Sequence, residues 1–362
     1  MLRKALLAAA ASERVRGLLT GAPTASSVVG RYVAGESIQD ALAVARALRS
    51  DGLLVSLDYL GEDSIDAQRA AATAAQYVHL LGRLAAEGLS DGGAVEVSIK
   101  LSAIGLLLSS PGGTGSPNGE LTSRMGGSRP PSPLAPVPPE GMPDGEAKIS
   151  DMQGAEGTAG SSTLGERIAT EHLERIVVAA RDAGTTVTVD AEDHTSTDAT
   201  LRIATALRER FGSVGSVVQA ALRRTEGDVR ELAAPGVRVR LCKGAYAEPL
   251  AEAFTARHDI DRSFARCLRT LMAGSGYPMI ATHDPRLIAI TRSLGLGRSP
   301  DSFEYQMLRG VRPVEQRRLA ASGARVRVYV PYGGDWYRYL VRRLAERPAN
   351  LALFLRSQLS PG

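Results

Sequence analysis

The chain has 362 residues, 44% apolar and 23% charged, a composition that excludes disordered, collagen-like and disulfide-stapled proteins. Its 43 basic residues exceed its 39 acidic ones by only 4, and no basic block is present, so nothing points to nucleic acid as a partner. Two cysteines, Cys242 and Cys267, are too few for a disulfide framework or a cysteine zinc cluster, and they fit a reducing compartment.

Residues 1–4 (MLRK) and the short apolar run 5–11 faintly imitate a secretory signal. Glu13, Arg14 and Arg16 then continue directly into Leu18 and Leu19, which reads as an amphipathic helix, with a targeting role as the alternative. No stretch reaches the ~18 apolar residues needed to cross a bilayer. Eight short β-branched or apolar runs follow, at 53–60, 95–102, 186–190, 216–220, 237–243, 279–283, 302–307 and 325–330. Apolar residues spaced i, i+3, i+4 predict helices at 66–87, 165–183, 198–211, 248–273, 285–294, 313–322 and 337–346.

Residues 109–163 break this pattern, with 11 Gly, 9 Pro and no aromatic residue. The segment lacks the apolar surface to offset its ordering entropy, so it reads as a disordered insertion after the second strand. With no aromatic anchor, a spacer is favoured over a lid. Strands alternating with helices and lacking hairpin turns imply an α/β protein with a parallel sheet, and eight such units close a (βα)₈ TIM barrel. An open doubly wound sheet is the competing fold. It would normally show G-x-G-x-x-G after its first strand, where this chain has Gly61-Glu62-Asp63. The expected organisation is an N-terminal helical extension over 1–50 and a barrel domain over 51–362 that carries the insertion.

Barrel enzymes place their chemistry at the C-terminal ends of the strands. Those ends carry Lys100, then Asp190 and Glu192, then Gln219, then Arg240, Lys243 and Tyr246. Thr282 and His283 follow, then Glu304, Gln306 and Tyr329, with Arg342 and Arg343 on the last helix. Each has a structural reading of its own. Lys100 could cap its strand in solvent, Asp190 could cap a helix or pair in the barrel floor, and His283 could be a satisfied core histidine. Arg342 and Arg343 lie four and three residues before Glu346 and could form a solvated helix face. Their repetition at successive strand ends is what argues for a site. With five histidines, no H-E-x-x-H and no C-x-x-C, no metal centre is implied, and no G-x-S-x-G elbow supports a serine hydrolase. A phosphate-binding aldolase or isomerase barrel stays open, through Gly310, Gly333 and Gly334 and a Schiff-base Lys100 or Lys243. So does a non-catalytic binding barrel.

The motifs themselves resemble the proline dehydrogenase family of flavin enzymes. They are SIKLSAIG (98–105), VTVDAEDHT (187–195), VVQAALRRT (217–225), RLCKGAYAEP (240–249), IATHD (280–284), FEYQMLRG (303–310) and RVYVPYGGDWYRYLVRRLAERPAN (327–350). This resemblance implies a distorted (βα)₈ barrel holding non-covalent FAD at its strand ends. It implies oxidation of L-proline to Δ¹-pyrroline-5-carboxylate by hydride transfer to the flavin, with electrons passed to a membrane quinone. The length implies a monofunctional form that works beside a separate pyrroline-5-carboxylate dehydrogenase, in the cytoplasm with possible peripheral contact at the inner membrane face. Lys100, Arg342 and Arg343 match the substrate-carboxylate residues, and paired guanidiniums suit a carboxylate. Asp190 matches an active-site carboxylate and Arg240 the arginine near the flavin N5. Ala191, Gln219, Lys243, Gly244, Ala245, Thr282 and His283 match FAD-contacting positions, and Leu308 and Tyr329 match residues around the proline ring. Two features depart from the pattern: Cys242, where an apolar residue is common, and the long insertion.

Overall fold

The computed structural model describes residues 29–61, 64, 66–109, 162–337 and 339. Eight parallel strands form a closed barrel in sequence order. They are β1 (Leu54–Tyr59), β2 (Val95–Ile99), β3 (Val187–Val189), β4 (Val214–Gln219), β5 (Arg238–Cys242), β6 (Tyr277–Ala281), β7 (Glu304–Leu308) and β8 (Val326–Tyr332), and β8 pairs with β1 from Leu54↔Arg327 to Tyr59↔Tyr332. The helices are α1 (Ile38–Ser50), α2 (Ala67–Ala86), α3 (Leu164–Asp182), α4 (Thr197–Phe211), α5 (Thr225–Leu232), α6 (Arg257–Ala273), α7 (Pro285–Gly295) and α8 (Pro313–Ala321).

Each strand has two buried faces, as a helix-covered parallel sheet requires. In β2, Val95, Val97 and Ile99 join the hydrophobic core, while the alternate residues Glu96 and Ser98 are equally buried and polar. The period of two therefore separates an apolar outer layer from a polar lumen. Helix starts are capped by side chains: Ser37 and Asp40 bond reciprocally at α1, Asp66 accepts from the Gln68 amide at α2, and Asp284 accepts from the Arg286 amide at α7. Helix α1, in the predicted extension, buries Ile38, Ala41, Leu42 and Ala45 in the barrel core and packs on β1 and β8.

Most elements match the sequence reading within two or three residues, and three differences have physical reasons. The second strand stops at Ile99, where Leu101–Ile104 tighten into a 3₁₀ turn ended by Gly105 at φ +116°. Helix α5 was not expected, because its eight residues include Gly227 and bury only Thr225, Val229 and Leu232. The helix expected from 248 begins at Arg257, since the chain before it is tied elsewhere: the Phe254 amide donates to the Ala221 carbonyl and the Arg223 amide to the Glu252 carbonyl. Most of the predicted insertion, the N-terminal helix before residue 29 and nearly all of the predicted 337–346 helix lie outside the described residues.

Candidate active site

Five polar side chains converge at the C-terminal mouth of the barrel. Lys100, directly after β2, is only 7% exposed. Its Nζ lies 3.0 and 3.1 Å from the two carboxylate oxygens of Asp58, 3.5 Å from the Tyr329 hydroxyl and 3.7 Å from Asp190. Asp58, on β1, is 1% exposed. Asp190, directly after β3, accepts from the Ser98 hydroxyl at 2.9 Å, from the Tyr329 hydroxyl at 2.7 Å and from Nη1 of Arg240. Charges so deeply buried are tolerated only when paired and hydrogen-bonded. The solvent-capped reading of Lys100 and the floor reading of Asp190 are thereby both replaced.

Arg240 projects from β5 across the lumen. Besides Asp190 it donates to Ser98 at 2.9 Å, to Ser56 at 3.4 Å and, through Nε, to the Gln306 side-chain oxygen. The Tyr329 ring lies 5.3 Å from its guanidinium carbon. Burial works against the Arg240 charge, but Asp190 and Glu96 outweigh it and hold the group protonated. The Tyr329 phenol is pushed well above its ordinary range by burial and by the Asp190 and Asp58 carboxylates, so it is a donor throughout the physiological range.

Beneath this cluster a second charged layer fills the barrel floor. Glu96 accepts from Arg238 at 2.9 Å, Thr186 at 2.7 Å and Thr188 at 3.1 Å. Glu304 accepts from Arg327 at 2.7 and 3.1 Å, from Tyr277 at 3.0 Å and from Gln306 at 2.6 Å. Glu304, read as a strand-end residue, thus belongs to the floor, because β7 begins at this residue.

The remaining expected residues line the rim. Gln219 ends β4 and donates to the Glu192 carbonyl at 2.6 Å. Glu192 itself accepts from the Ser102 amide at 3.0 Å, which ties the β2 and β3 ends together. Lys243 bonds to Asp284 at 3.2 Å and to Asp261. Asp284 is held well below the usual carboxylate range, first by its bond from Arg286 and also by Lys243. Gly244 has φ +96°, which favours glycine, and an added Cβ would crowd the Gln219 side-chain oxygen at 3.1 Å and Ala221 at 3.2 Å. Ala191 and Ala245 are half-buried beside these groups. The Thr282 hydroxyl accepts from the Asp284 amide at 3.1 Å. His283 Nε2 accepts from the Leu308 amide at 2.9 Å, so that nitrogen carries no proton. Cys242 ends β5 half-buried, its thiol 3.6 Å from the Val218 carbonyl. Arg342 and Arg343 lie outside the described residues.

Asp58, Ser98, Glu96 and Arg327 were missed as site residues. The signal for Asp58 was present: Ser56 and Asp58 alternate inside the otherwise apolar run LLVSLDYL, as inward-facing residues should. Among the described residues, no helix is long and apolar enough to cross a membrane.

Residues 41–355 match the family model described as proline dehydrogenase. Proline dehydrogenase 1 of Bacillus subtilis (strain 168) is 32% identical over 331 residues, covering 91% of this chain and 90% of that protein. The proline dehydrogenase of Deinococcus radiodurans is 32% identical over 333 residues, covering 91% of this chain and 89% of that one. Among solved structures, proline utilization A (PutA) from Bdellovibrio bacteriovorus, inactivated by N-propargylglycine, superposes with TM-score 0.69 at 21% identity. That match covers 90% of this chain and 33% of the PutA chain, so this protein spans about a third of the longer one, and the likeness establishes the fold.

Proposed function

Because the chain belongs to the proline dehydrogenase family, we propose that it oxidises L-proline to Δ¹-pyrroline-5-carboxylate with FAD as the hydride acceptor and passes the electrons to a quinone. The observation that carries this reading is the buried mouth cluster of Lys100, Asp58, Asp190, Arg240 and Tyr329, at the barrel end where such enzymes work. Bound flavin would supply a two-electron acceptor, which the side chains themselves lack.

The residues present fit that group. Gln219, Lys243, Gly244, Ala245, Thr282 and His283 occupy the adjoining ends of β4, β5 and β6, with Ala191 after β3. Gly244, at a φ that other residues rarely adopt, keeps the rim backbone uncluttered beside Lys243, and Lys243 and Arg286, held there by Asp261 and Asp284, supply the cationic groups that suit a dinucleotide phosphate. Arg240, kept charged in the lumen, suits the ring edge where negative charge grows on reduction.

Charge accounting separates the roles of the cations. Lys100 and Arg240 face Asp58 and Asp190, so this four-residue group is formally neutral. A substrate carboxylate needs additional positive charge, and Arg342 and Arg343 would bring it, with Lys100 as the third donor. Both oxygens of Asp190 already accept hydrogen bonds. Its role is therefore to hold Arg240 and Tyr329 in register. Leu308 and the Tyr329 ring would pack the proline ring between β7 and β8. A pyrroline-5-carboxylate dehydrogenase would consume the product, and delivery to a quinone would bring the protein to a membrane surface.

The test is the absorption spectrum. The purified protein should be yellow, with a flavin band that bleaches when L-proline is added without oxygen. A chain that carries no flavin, or a band that proline leaves unchanged, would overturn the reading.

A further inference from the structure

Arg240 enters the lumen from β5, and its grip comes from two opposite walls. In a closed eight-strand barrel β3 stands across from β7. Asp190, after β3, holds Nη1, and Gln306, on β7, accepts from Nε. Gln306 is 4% exposed, so its amide needs two partners inside the barrel. One is Arg240. The other is Glu304, which accepts from Nε2 of Gln306 at 2.6 Å.

The orientation of that amide is chemically determined. Glu304 also accepts from Arg327 at 2.7 and 3.1 Å and from Tyr277 at 3.0 Å. It is thus an ionised carboxylate, an acceptor only, and Gln306 must turn its NH₂ toward it. The amide oxygen is then left facing Arg240, which is a donor only. Arg327 is itself pinned, donating to the Val55 carbonyl at 2.8 Å and the Gly93 carbonyl at 3.1 Å. A continuous chain of bonds therefore runs from the rigid floor through Glu304 and Gln306 to the Arg240 guanidinium, which bridges floor and mouth.

We propose that Gln306, its amide oriented by Glu304, is a positioning residue that sets the direction of the Arg240 guanidinium at the reacting face of the barrel. This rests on the proposed flavin-dependent proline oxidation. Asp190 and Ser98 hold Nη1, and Nη2 has only the long 3.4 Å hydrogen bond to Ser56, so the bond through Nε to Gln306 is the short contact that fixes the guanidinium plane from the opposite wall. Loss of the Gln306 oxygen would let the plane turn, leaving its charge in the lumen but no longer aimed.

The experiment compares the parent protein with Gln306→Met, which keeps length without an acceptor, and Gln306→Glu, which, protonated on the oxygen that faces the ionised Glu304, restores both the donor to Glu304 and the acceptor for Arg240. The first readout needs no flavin. Arginine labelled with ¹⁵N reports exchange of the Arg240 Nε–H, assigned by its disappearance in Arg240→Lys. Exchange should speed up about tenfold or more in Gln306→Met, the equivalent of one decade in an opening equilibrium, and return to within about threefold of the parent in Gln306→Glu. The second readout is the midpoint potential of the bound flavin. It should fall in Gln306→Met and recover in Gln306→Glu, while affinity for an unreactive proline analogue changes less than about threefold. If Gln306→Met does not fold, Gln306→Asn, which withdraws the amide by one methylene, replaces it with the same expectations. Unchanged Nε–H exchange in a folded Met or Asn variant would overturn the inference, as would a changed exchange with an unshifted potential. A parent that binds no flavin would overturn the proposed function instead, and the exchange measurement would still decide whether Gln306 orients Arg240.

Discussion

Tyr329 joins two tasks in one side chain. Its hydroxyl donates to Asp190 at 2.7 Å, and its ring lies over Arg240 at 5.3 Å. Under the proposed function the same ring would pack against the substrate. A ring in that place leaves little room for a substrate hydroxyl, and overpacking of this kind costs about 1–3 kcal/mol. We expect L-proline to be preferred over trans-4-hydroxy-L-proline by ~5–150-fold in kcat/KM, at 1.4 kcal/mol per decade. Tyr329→Phe separates the tasks, because it keeps the volume and removes the bond to Asp190. It should lower turnover while holding the substrate ratio within about threefold, whereas Tyr329→Ser should narrow the ratio chiefly by weakening proline. Steady-state kinetics on both substrates decides this, and an unchanged ratio in the Ser variant would remove Tyr329 from specificity. Arg343→Met tests the charge accounting at the same scale. Loss of one desolvated charge-assisted partner costs roughly 2–5 kcal/mol, so KM for proline should rise by about two orders of magnitude or more with flavin retained. A parental KM in that variant would place the carboxylate elsewhere.

At the scale of elements, the two ends of the insertion bear on what it does. A Cβ added at Gly165, on α3, would lie 2.2 Å from the Leu106 carbonyl oxygen and 2.9 Å from that of Leu108. The chain entering the segment therefore nearly touches the chain leaving it. A few residues can close such a gap, and shortening a loop reduces its closure entropy cost only slowly. Replacing 110–161 with a short Gly-Ser linker should leave flavin content unchanged and Tm the same or slightly raised. Loss of flavin on deletion would make the segment part of the site. The same elements explain how far the sequence was legible. Alternation in LLVSLDYL and VEVSIKLS located strands because the barrel wall imposes a period of two on both its apolar and its polar face. Helix α5 escaped because eight residues with a central glycine carry too few periodic positions, and the 248–256 stretch misled because its backbone is bonded to the loop after β4 rather than to its own helix. Lys100, Asp190, Arg240 and Tyr329 were legible as strand-end polar residues. Asp58 was legible as an inward-facing residue by its alternation with Ser56, but its pairing with Lys100 and that of Glu96 with Arg240 were not, since pairing between strands depends on register and tilt that no local pattern encodes.

Over the whole molecule, the lumen behaves as one charge-balanced column. Arg238, Arg240, Arg327 and Lys100 are matched by Glu96, Glu304, Asp58 and Asp190, all bound by contacts between walls. Acid should attack such a column from its carboxylates. Burial pushes the Glu304 carboxyl up, but the charge of Arg327 and its hydrogen bonds outweigh this and bring it from an ordinary 4.5 down to about 2. A carboxylate depressed in the folded state contributes stability that is fully present above its unfolded value and is lost as pH falls through the folded one. The loss from Glu304 therefore falls between about pH 4.5 and 2. Glu304→Gln should be less stable at pH 7 by roughly 3–5 kcal/mol, because Arg327 then remains buried without its carboxylate. Below pH 4.5 the variant should lose less further stability than the parent, since the titrating group is gone. Tyr277, Arg238 and Gln306 also face this carboxylate, and none of them carries a carboxyl group. Urea midpoints for both proteins at pH 7, 5, 4 and 3 give the two acid limbs. Limbs that run parallel would assign the acid sensitivity to Glu96 or to the mouth carboxylates rather than to the Glu304–Arg327 pair.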